Sequence, residues 1–194
     1  LFKRIVIEVA KKHKMGASFI AKPMLEHAGN GLHMHISVVD SKGKNIFTRG
    51  NKAHPRLHQA IAGLLATMPA AMSFWAPNIN SSRRYVGGTS CAPVSLTWGD
   101  ENRSVAFRIP LAKQGAWRVE NRVPGADANP YLAMAATLAG MLHGIENELD
   151  PGAPTTAAVT GRDENLPLDM AKALATTIEN EALKNIMGRY FVEL

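Results

Sequence analysis

The amino-acid sequence predicts an α+β protein in which a mainly antiparallel sheet is packed by long helices. Three observations carry that reading. The stretch Gly29-Asn30-Gly31-Leu32-His33-Met34-His35-Ile36-Ser37 alternates apolar and polar residues with period two, the pattern of a strand with one buried face. Leu57 to Ser82 contains no charged residue, and from Pro55 to Trp75 the apolar side chains run nearly all round a helix, as in an element buried on several sides. Val94 to Trp98 and Ser104 to Ile109 flank the turn sequence Gly99-Asp100-Glu101-Asn102, which predicts an antiparallel pair.

Taken in order, Leu1 to Lys14 places Phe2, Ile5, Val6, Val9 and Ala10 at helical spacing opposite basic residues, with Gly16 as the stop. Ser18 to Ala21 is short, apolar and closed by Lys22-Pro23, which predicts a strand. After the Gly29–Ser37 strand, Asp40 to Asn45 forms a turn and Ile46-Phe47 starts the returning strand of a hairpin. Pro55 to Trp75 is a long helix, bent at Pro69, followed by a polar loop from Pro77 to Gly88 with Arg83-Arg84 at its tip. Trp117 to Val123 is a further strand. Asn129 then caps, and Pro130 opens, a helix running to Leu149 with an Ala- and Gly-rich inner face suited to close packing. Pro151 to Asn165 is linker-like, and a last helix covers Asp169 to Met187.

Bulk properties narrow the function. The 194 residues suffice for one domain with its own core. The single cysteine, Cys91, excludes an internal disulfide, fits a reducing, cytoplasmic setting, and has no paired histidine to make it a nucleophile. A net charge of +6 suits anionic small molecules, while the lack of basic runs interleaved with aromatics argues against nucleic acid. Pro69, His58 and Gln59 argue against a membrane span in the uncharged stretch. Leu1 to Ile5 runs straight into a helix rather than a signal peptide, and the lack of an initiator Met leads us to expect a piece of a longer chain.

The candidate chemistry lies on two strands. His33, His35 and Ser37 share the polar face of the first, behind glycines that let a ligand or a backbone come close. Arg118, Glu120 and Arg122 share one face of another strand. That trio is either a surface ion-pair ladder or a metal-ligating carboxylate flanked by anion-binding arginines. A glutamate with a neutral histidine such as His33 suits Mg2+ or Mn2+. Arg83, Arg84, Arg103 and Arg108 add guanidiniums at loop tips and strand starts, a set that fits phosphoryl transfer. Asn80-Ser81-Ser82 and Asn102-Arg103-Ser104 match the glycosylation acceptor pattern, which is discounted without a secretory signal.

These residues resemble a known family. Lys22-Pro23-Met24, a three-residue spacer, Ala28-Gly29-Asn30-Gly31-Leu32-His33 and then Ser37 resemble the ATP-binding signature of the glutamine synthetase superfamily. Asn78 to Arg84 resembles its substrate loop, Asn102 to Pro110 its arginine hairpin, and Arg118 to Arg122 and Asp127 to Tyr131 the blocks that follow. Within it, Lys12 to Met15, Ala21 to Pro23 and Glu26 to Gly29 are similar to γ-glutamylputrescine (polyamine) synthetases. The resemblance implies a curved, mainly antiparallel sheet of the catalytic-domain type, with residues 1–194 as its C-terminal portion. It implies ATP and Mg2+ or Mn2+ as cofactors, glutamate and an amine such as putrescine as substrates, and self-association into rings. The implied reaction phosphorylates the glutamate γ-carboxylate and lets the amine displace phosphate. His33 and Glu120 match metal ligands; His35, Ser37, Arg108 and Arg118 match positions around the nucleotide; Gly29, Arg84 and Arg122 lie near glutamate; Arg103 matches the group neutralising the transferred phosphate.

Three departures bear on the substrate and the competence of the chain. Ala28 stands where ammonia-using members usually carry an Asn. The loop Tyr85 to Pro93 is one residue longer than usual and has no acid to deprotonate ammonium. The family's other metal-binding glutamates fall before Leu1, so we expect the chain to be inactive alone. An ammonia-using glutamine synthetase, or a non-catalytic binding or structural relative, is the alternative.

Overall fold

A computed structural model describes residues 1–85, 92–112 and 115–189. The helices are α1 (Phe2–Lys12), α2 (Pro55–Trp75), α3 (Ile79–Ser82), α4 (Pro130–Glu146), α5 (Met170–Glu179) and α6 (Glu181–Met187). The strands are β1 (Met34–Ile36), β2 (Thr48–Arg49), β3 (Lys52–Ala53), β4 (Trp98–Asp100), β5 (Phe107–Ile109) and β6 (Val119–Asn121). The main sheet is four-stranded in the order β1-β6-β5-β4. Its β1–β6 and β6–β5 pairings are antiparallel, so the α+β class with a mainly antiparallel sheet holds.

The third pairing of this sheet differs from expectation. β4 runs parallel to β5, with Trp98 opposite Phe107 and Asp100 opposite Ile109. Gly99 and Asp100 belong to the strand, and the chain turns back later, through Glu101 in the left-handed region at φ 51°. The reversal from 101 to 106 is long enough to re-enter the sheet in the same direction.

The helix layer fixes the sheet from one side. α2 begins and ends where its sequence pattern predicts, with His54 as its N-cap accepting from the Arg56 N–H and Pro55 in its first turn. It continues through Pro69 and buries Leu57, Ile61, Leu64, Met68, Met72 and Trp75. α4 starts from the predicted Asn129 cap, whose side chain accepts from the Tyr131 and Leu132 N–H groups. The two helices meet backbone to backbone. A Cβ on Gly63 would lie 2.0 Å from the Gly140 carbonyl and 2.4 Å from the Gly144 nitrogen, so only glycines allow this approach.

Other segments depart from the sequence reading. α1 ends at Lys12 rather than at Gly16, because Lys14 turns left-handed at φ 57°. Ser18 to Ala21 is irregular rather than a strand. The returning hairpin strand at Ile46-Phe47 reduces to a single bridge, Val39 to Asn45, and the β2–β3 hairpin follows it around Gly50 at φ 60°. The polar loop from Pro77 contains α3 and a 3-10 turn, Arg83–Tyr85. The last helix is two, α5 and α6, because Asn180 is extended and caps α6 by accepting from the Leu183 N–H. Among the described residues, no helix is long and apolar enough to cross a membrane.

Candidate active site

The strand register assembles the site. His35 lies opposite Glu120, and Glu120 lies opposite Arg108, so one row crosses β1, β6 and β5. Directly opposite residues share a face of the sheet. The row on the other face, Met34, Asn121 and Phe107, is buried in the core. Residues far apart in sequence are therefore brought into line by pairing alone.

Glu120 is the hub. It is 3% exposed, which removes the surface-ladder reading of Arg118, Glu120 and Arg122. Its Oε1 accepts from Arg122 Nη1 at 2.8 Å and lies 3.3 Å from His33 Nδ1 and 3.7 Å from His35 Nε2. Its Oε2 accepts from Arg108 Nη1 at 2.7 Å. Burial alone would raise the Glu120 pKa, but hydrogen bonds from His33 and Arg108 and the charges of Arg122 and His35 outweigh it and hold the pKa at about 2. A buried carboxylate stays ionised because cations surround it.

The remaining candidates sort by distance from this hub. Arg118 donates its Nε–H to His35 Nδ1 at 3.3 Å, which sets the imidazole as the tautomer with Nε2–H toward Glu120. Partial burial lowers the His35 pKa, reinforced by Arg118, Arg108 and His33 and opposed by Glu120, so His35 is biased neutral. Arg103 is exposed and lines a cleft of about 700 Å³ together with His33, Arg122, Asp100, Asn102 and Thr156. Ser37 is exposed beyond the end of β1, outside the Glu120 cluster.

Arg84 is buried under the glycine-rich entry to β1. Its Nη1 donates to the Val123 carbonyl at 2.6 Å and to Tyr85 Oη at 3.2 Å, and its Nη2 donates to the Arg122 carbonyl at 3.3 Å. A Cβ on Gly29 would lie 3.0 Å from Arg84 Cγ and 2.8 Å from the Ala21 carbonyl. One on Gly31 would lie 2.9 Å from Arg84 Nη2 and 3.2 Å from His33 Nε2. The two glycines let Arg84 slide beneath the strand entry, where its guanidinium and the His33 ring converge.

Several residues that shape the site carry no role in the sequence reading. Glu101, read as a turn residue, accepts from Arg108 Nη2 at 3.2 Å through both oxygens and from the Leu111 N–H. Its left-handed backbone lets the carboxylate turn back toward β5. The 151–165 stretch is not merely a linker, because Asn102 Nδ2 donates to the Thr155 and Ala157 carbonyls at 2.9 Å and draws Thr156 and Ala158 into the cleft wall. Asn80 likewise pairs with both backbone groups of Lys22. The acceptor-like asparagines 80 and 102 are thus committed to internal bonds. Residues 86–91, with Cys91 and most of the acid-free loop, lie outside the described residues.

The donors fit part of a metal shell. Among the described residues, no group of three or more His, Cys, Asp or Glu side chains is placed to hold an ion. His33 and Glu120 alone supply one imidazole nitrogen and one carboxylate edge, the mixture suited to Mg2+ or Mn2+ when phosphate oxygens and further carboxylates complete the shell. Arg108 Nε and Arg122 Nε are buried without an acceptor, two donors left over on the guanidiniums that grip Glu120. An anionic ligand such as a phosphate or carboxylate suits that surplus.

A charged sheet floor with this register and the Lys-Pro…Gly-x-Gly-x-His lead-in defines a class. Residues 1–194 match the family described as the glutamine synthetase catalytic domain, and the chain belongs to it. It is 45% identical, over 97% of its length, to γ-glutamylputrescine synthetase PuuA of Escherichia coli (strain K12). It is 38% identical, over 90% of its length, to glutamate–isopropylamine ligase of a Pseudomonas species. The chain spans only 40% and 38% of those relatives. In structure it is similar to the GmaS/ADP complex, with a TM-score of 0.86 and 32% identity over 96% of this chain and 45% of that one.

Proposed function

We propose that this chain is the C-terminal portion of a glutamine synthetase-like catalytic domain whose enzyme joins the γ-carboxylate of glutamate to an amine, with a polyamine such as putrescine as the amine. The observation that carries the reading is Glu120, a buried ionised carboxylate held between His33, Arg108 and Arg122 on an otherwise open sheet face. Likeness to a γ-glutamylputrescine synthetase and a glutamate–isopropylamine ligase supports an amine larger than ammonia. Ala28 and the lack of an acid from Tyr85 to Pro93 point the same way.

In this reading a γ-carboxylate oxygen of glutamate attacks the γ-phosphorus of ATP and ADP leaves. The amine nitrogen then attacks the acyl carbon of γ-glutamyl phosphate, phosphate departs, and the nitrogen loses a proton. Both reactants of the first step are anions, so positioning and charge neutralisation are the main tasks. His33 and Glu120 would be ligands of a Mg2+ or Mn2+ ion, which would offset phosphate charge when bound. His35, Ser37, Arg108 and Arg118 face the nucleotide. Arg122, Arg84 and Gly29 shape the glutamate end, and Arg103, exposed in the cleft, meets the phosphoryl group in transfer. Further metal ligands and ring-forming contacts come from outside these residues, so the chain alone is inactive.

The test is phosphate release from ATP by the full-length polypeptide with glutamate and, in turn, putrescine, other amines and ammonia. Stimulation by putrescine above ammonia is expected. Stimulation by ammonia alone would make the protein a glutamine synthetase proper. No stimulation by either, with no binding of ATP or Mn2+, would make it a non-catalytic relative.

A further inference from the structure

We infer that Asp127 is a positioning residue for Arg84, holding it beneath Gly29 and Gly31 through the short helix α3. The inference rests on the proposed glutamate ligation, in which Arg84 lies at the glutamate end of the site.

The contacts form a closed circuit. Asp127 Oδ2 accepts from Ser81 Oγ at 2.5 Å and from Asn78 Nδ2 at 3.1 Å. Ser81 Oγ in turn accepts from the Asn78 N–H at 2.9 Å, and the Ser81 N–H donates to the Asn78 carbonyl at 2.8 Å. These bonds define the start of α3, which has only four residues and is too short to persist without outside support. Arg84 follows two residues after α3, in the 3-10 turn Arg83–Tyr85. Its guanidinium returns to the Arg122 and Val123 carbonyls, and Tyr85 Oη donates to the same Val123 carbonyl at 2.6 Å. Asp127 lies four residues further along that chain. The segment after β6 therefore grips the 78–85 segment twice, by main-chain carbonyls at 122 and 123 and by the Asp127 carboxylate.

The third tie runs to the strand entry. Asn80 Oδ1 accepts from the Lys22 N–H at 3.0 Å and its Nδ2 donates to the Lys22 carbonyl at 3.2 Å. Displacing α3 would move both Arg84 and the Lys22–Gly31 approach to His33. Gly125 leaves room for the carboxylate, since a Cβ there would lie 2.5 Å from Asp127 Oδ1, an oxygen buried without a donor.

The test uses the full-length enzyme and separates KM from kcat. Asp127→Asn turns an acceptor toward donors as an amide, and Gly125→Ala pushes the intact carboxylate off Ser81. Each is expected to raise KM for glutamate on the order of tenfold while KM for ATP stays within about twofold, because misplacement falls on one end of the site. In an Arg84→Lys background neither change should raise KM further. A merely structural role would lower the melting temperature and kcat with KM for glutamate unchanged, and that result, or additivity with Arg84→Lys, overturns the inference. If the unsubstituted enzyme shows no glutamate-dependent phosphate release, the ligase reading fails instead. Hydrogen exchange across 78–85 then decides the matter: faster exchange in Asp127→Asn supports Asp127 as the clamp, and unchanged exchange overturns it.

Discussion

The two sides of the main sheet solve opposite problems. On one side, Met34, Asn121 and Phe107 pack with α2 and α4 into a closed core in which the helices touch through glycine. On the other, His35, Glu120 and Arg108 form a polar row, and His33 and Arg122, both beside Glu120, line an open cleft. The first side is positioned by shape and stays put once packed. The second is positioned by charge, and Glu120 is satisfied only because guanidiniums and imidazoles converge on it. The contrast separates the part that holds the fold from the part that acts, and substitutions on each side should report on different measurements.

The largest effect is expected from Glu120→Ala in the full-length enzyme. On the proposed reading it removes a metal ligand, and it leaves Arg108 and Arg122 with less to hold them, so turnover should fall about 10²–10³-fold, as for other lost electrostatic groups. Steady-state phosphate release measures it, and unchanged turnover and metal dependence would remove Glu120 from the site.

On the closed side, Gly63→Val should leave no room for α4. Its Cβ alone would meet backbone at 2.0 Å, and backbone has no rotamer to yield. Overpacking of this kind costs about 3 kcal/mol or more, read as a lower urea midpoint of this chain. A midpoint within error of the unsubstituted chain would mean that the two helices do not pack through glycine.

The charged side should also show itself as acid sensitivity. The Glu120 pKa is depressed from 4.5 to about 2, so its contribution is fully present above about pH 4.5 and is lost as pH falls through 2. Unfolding free energy should drop by about 2 kcal/mol between pH 5 and pH 3 from this group, given 1.36 kcal/mol per unit. Comparison with Glu120→Gln isolates the share. An equal acid loss in that variant would place the sensitivity elsewhere.

The closed side was the more legible in sequence. The apolar pattern from Pro55 and the polar loop from Pro77 mark both ends of α2, and Asn129-Pro130 marks the start of α4, because these signals are local. The alternation at 33–37 and at 118–122 also identified the right faces. Pairing was not legible. Gly99-Asp100-Glu101-Asn102 reads as a tight turn, yet a left-handed Glu101 defers the reversal and makes β4 parallel to β5. Asp127 and Asn102 look like ordinary loop residues, since their partners lie 46 and 53 positions away. The Asn180 break was hidden because helical spacing continues across it while one residue turns extended to cap the next helix.

The smallest effect probes Asn121, the polar member of the buried strand row. Asn121 is fully buried between Glu120 and Arg122 in sequence but points away from both. Its Nδ2 donates to Thr137 Oγ1 on α4 at 3.1 Å, and its Oδ1 accepts from the Val123 N–H at 3.1 Å. It thereby ties the end of β6, where the charged row is mounted, to the helix layer. Thr137→Val keeps the volume and removes the acceptor, leaving a buried amide donor unsatisfied at a cost of about 1–2 kcal/mol. If the two sides are independent, this chain should lose that stability while the full-length enzyme keeps its turnover within about twofold at a temperature where both remain folded. A larger loss of turnover would show that the helix layer sets the aim of Glu120 and Arg122 through Asn121, and the division between a holding side and an acting side would have to be redrawn at β6.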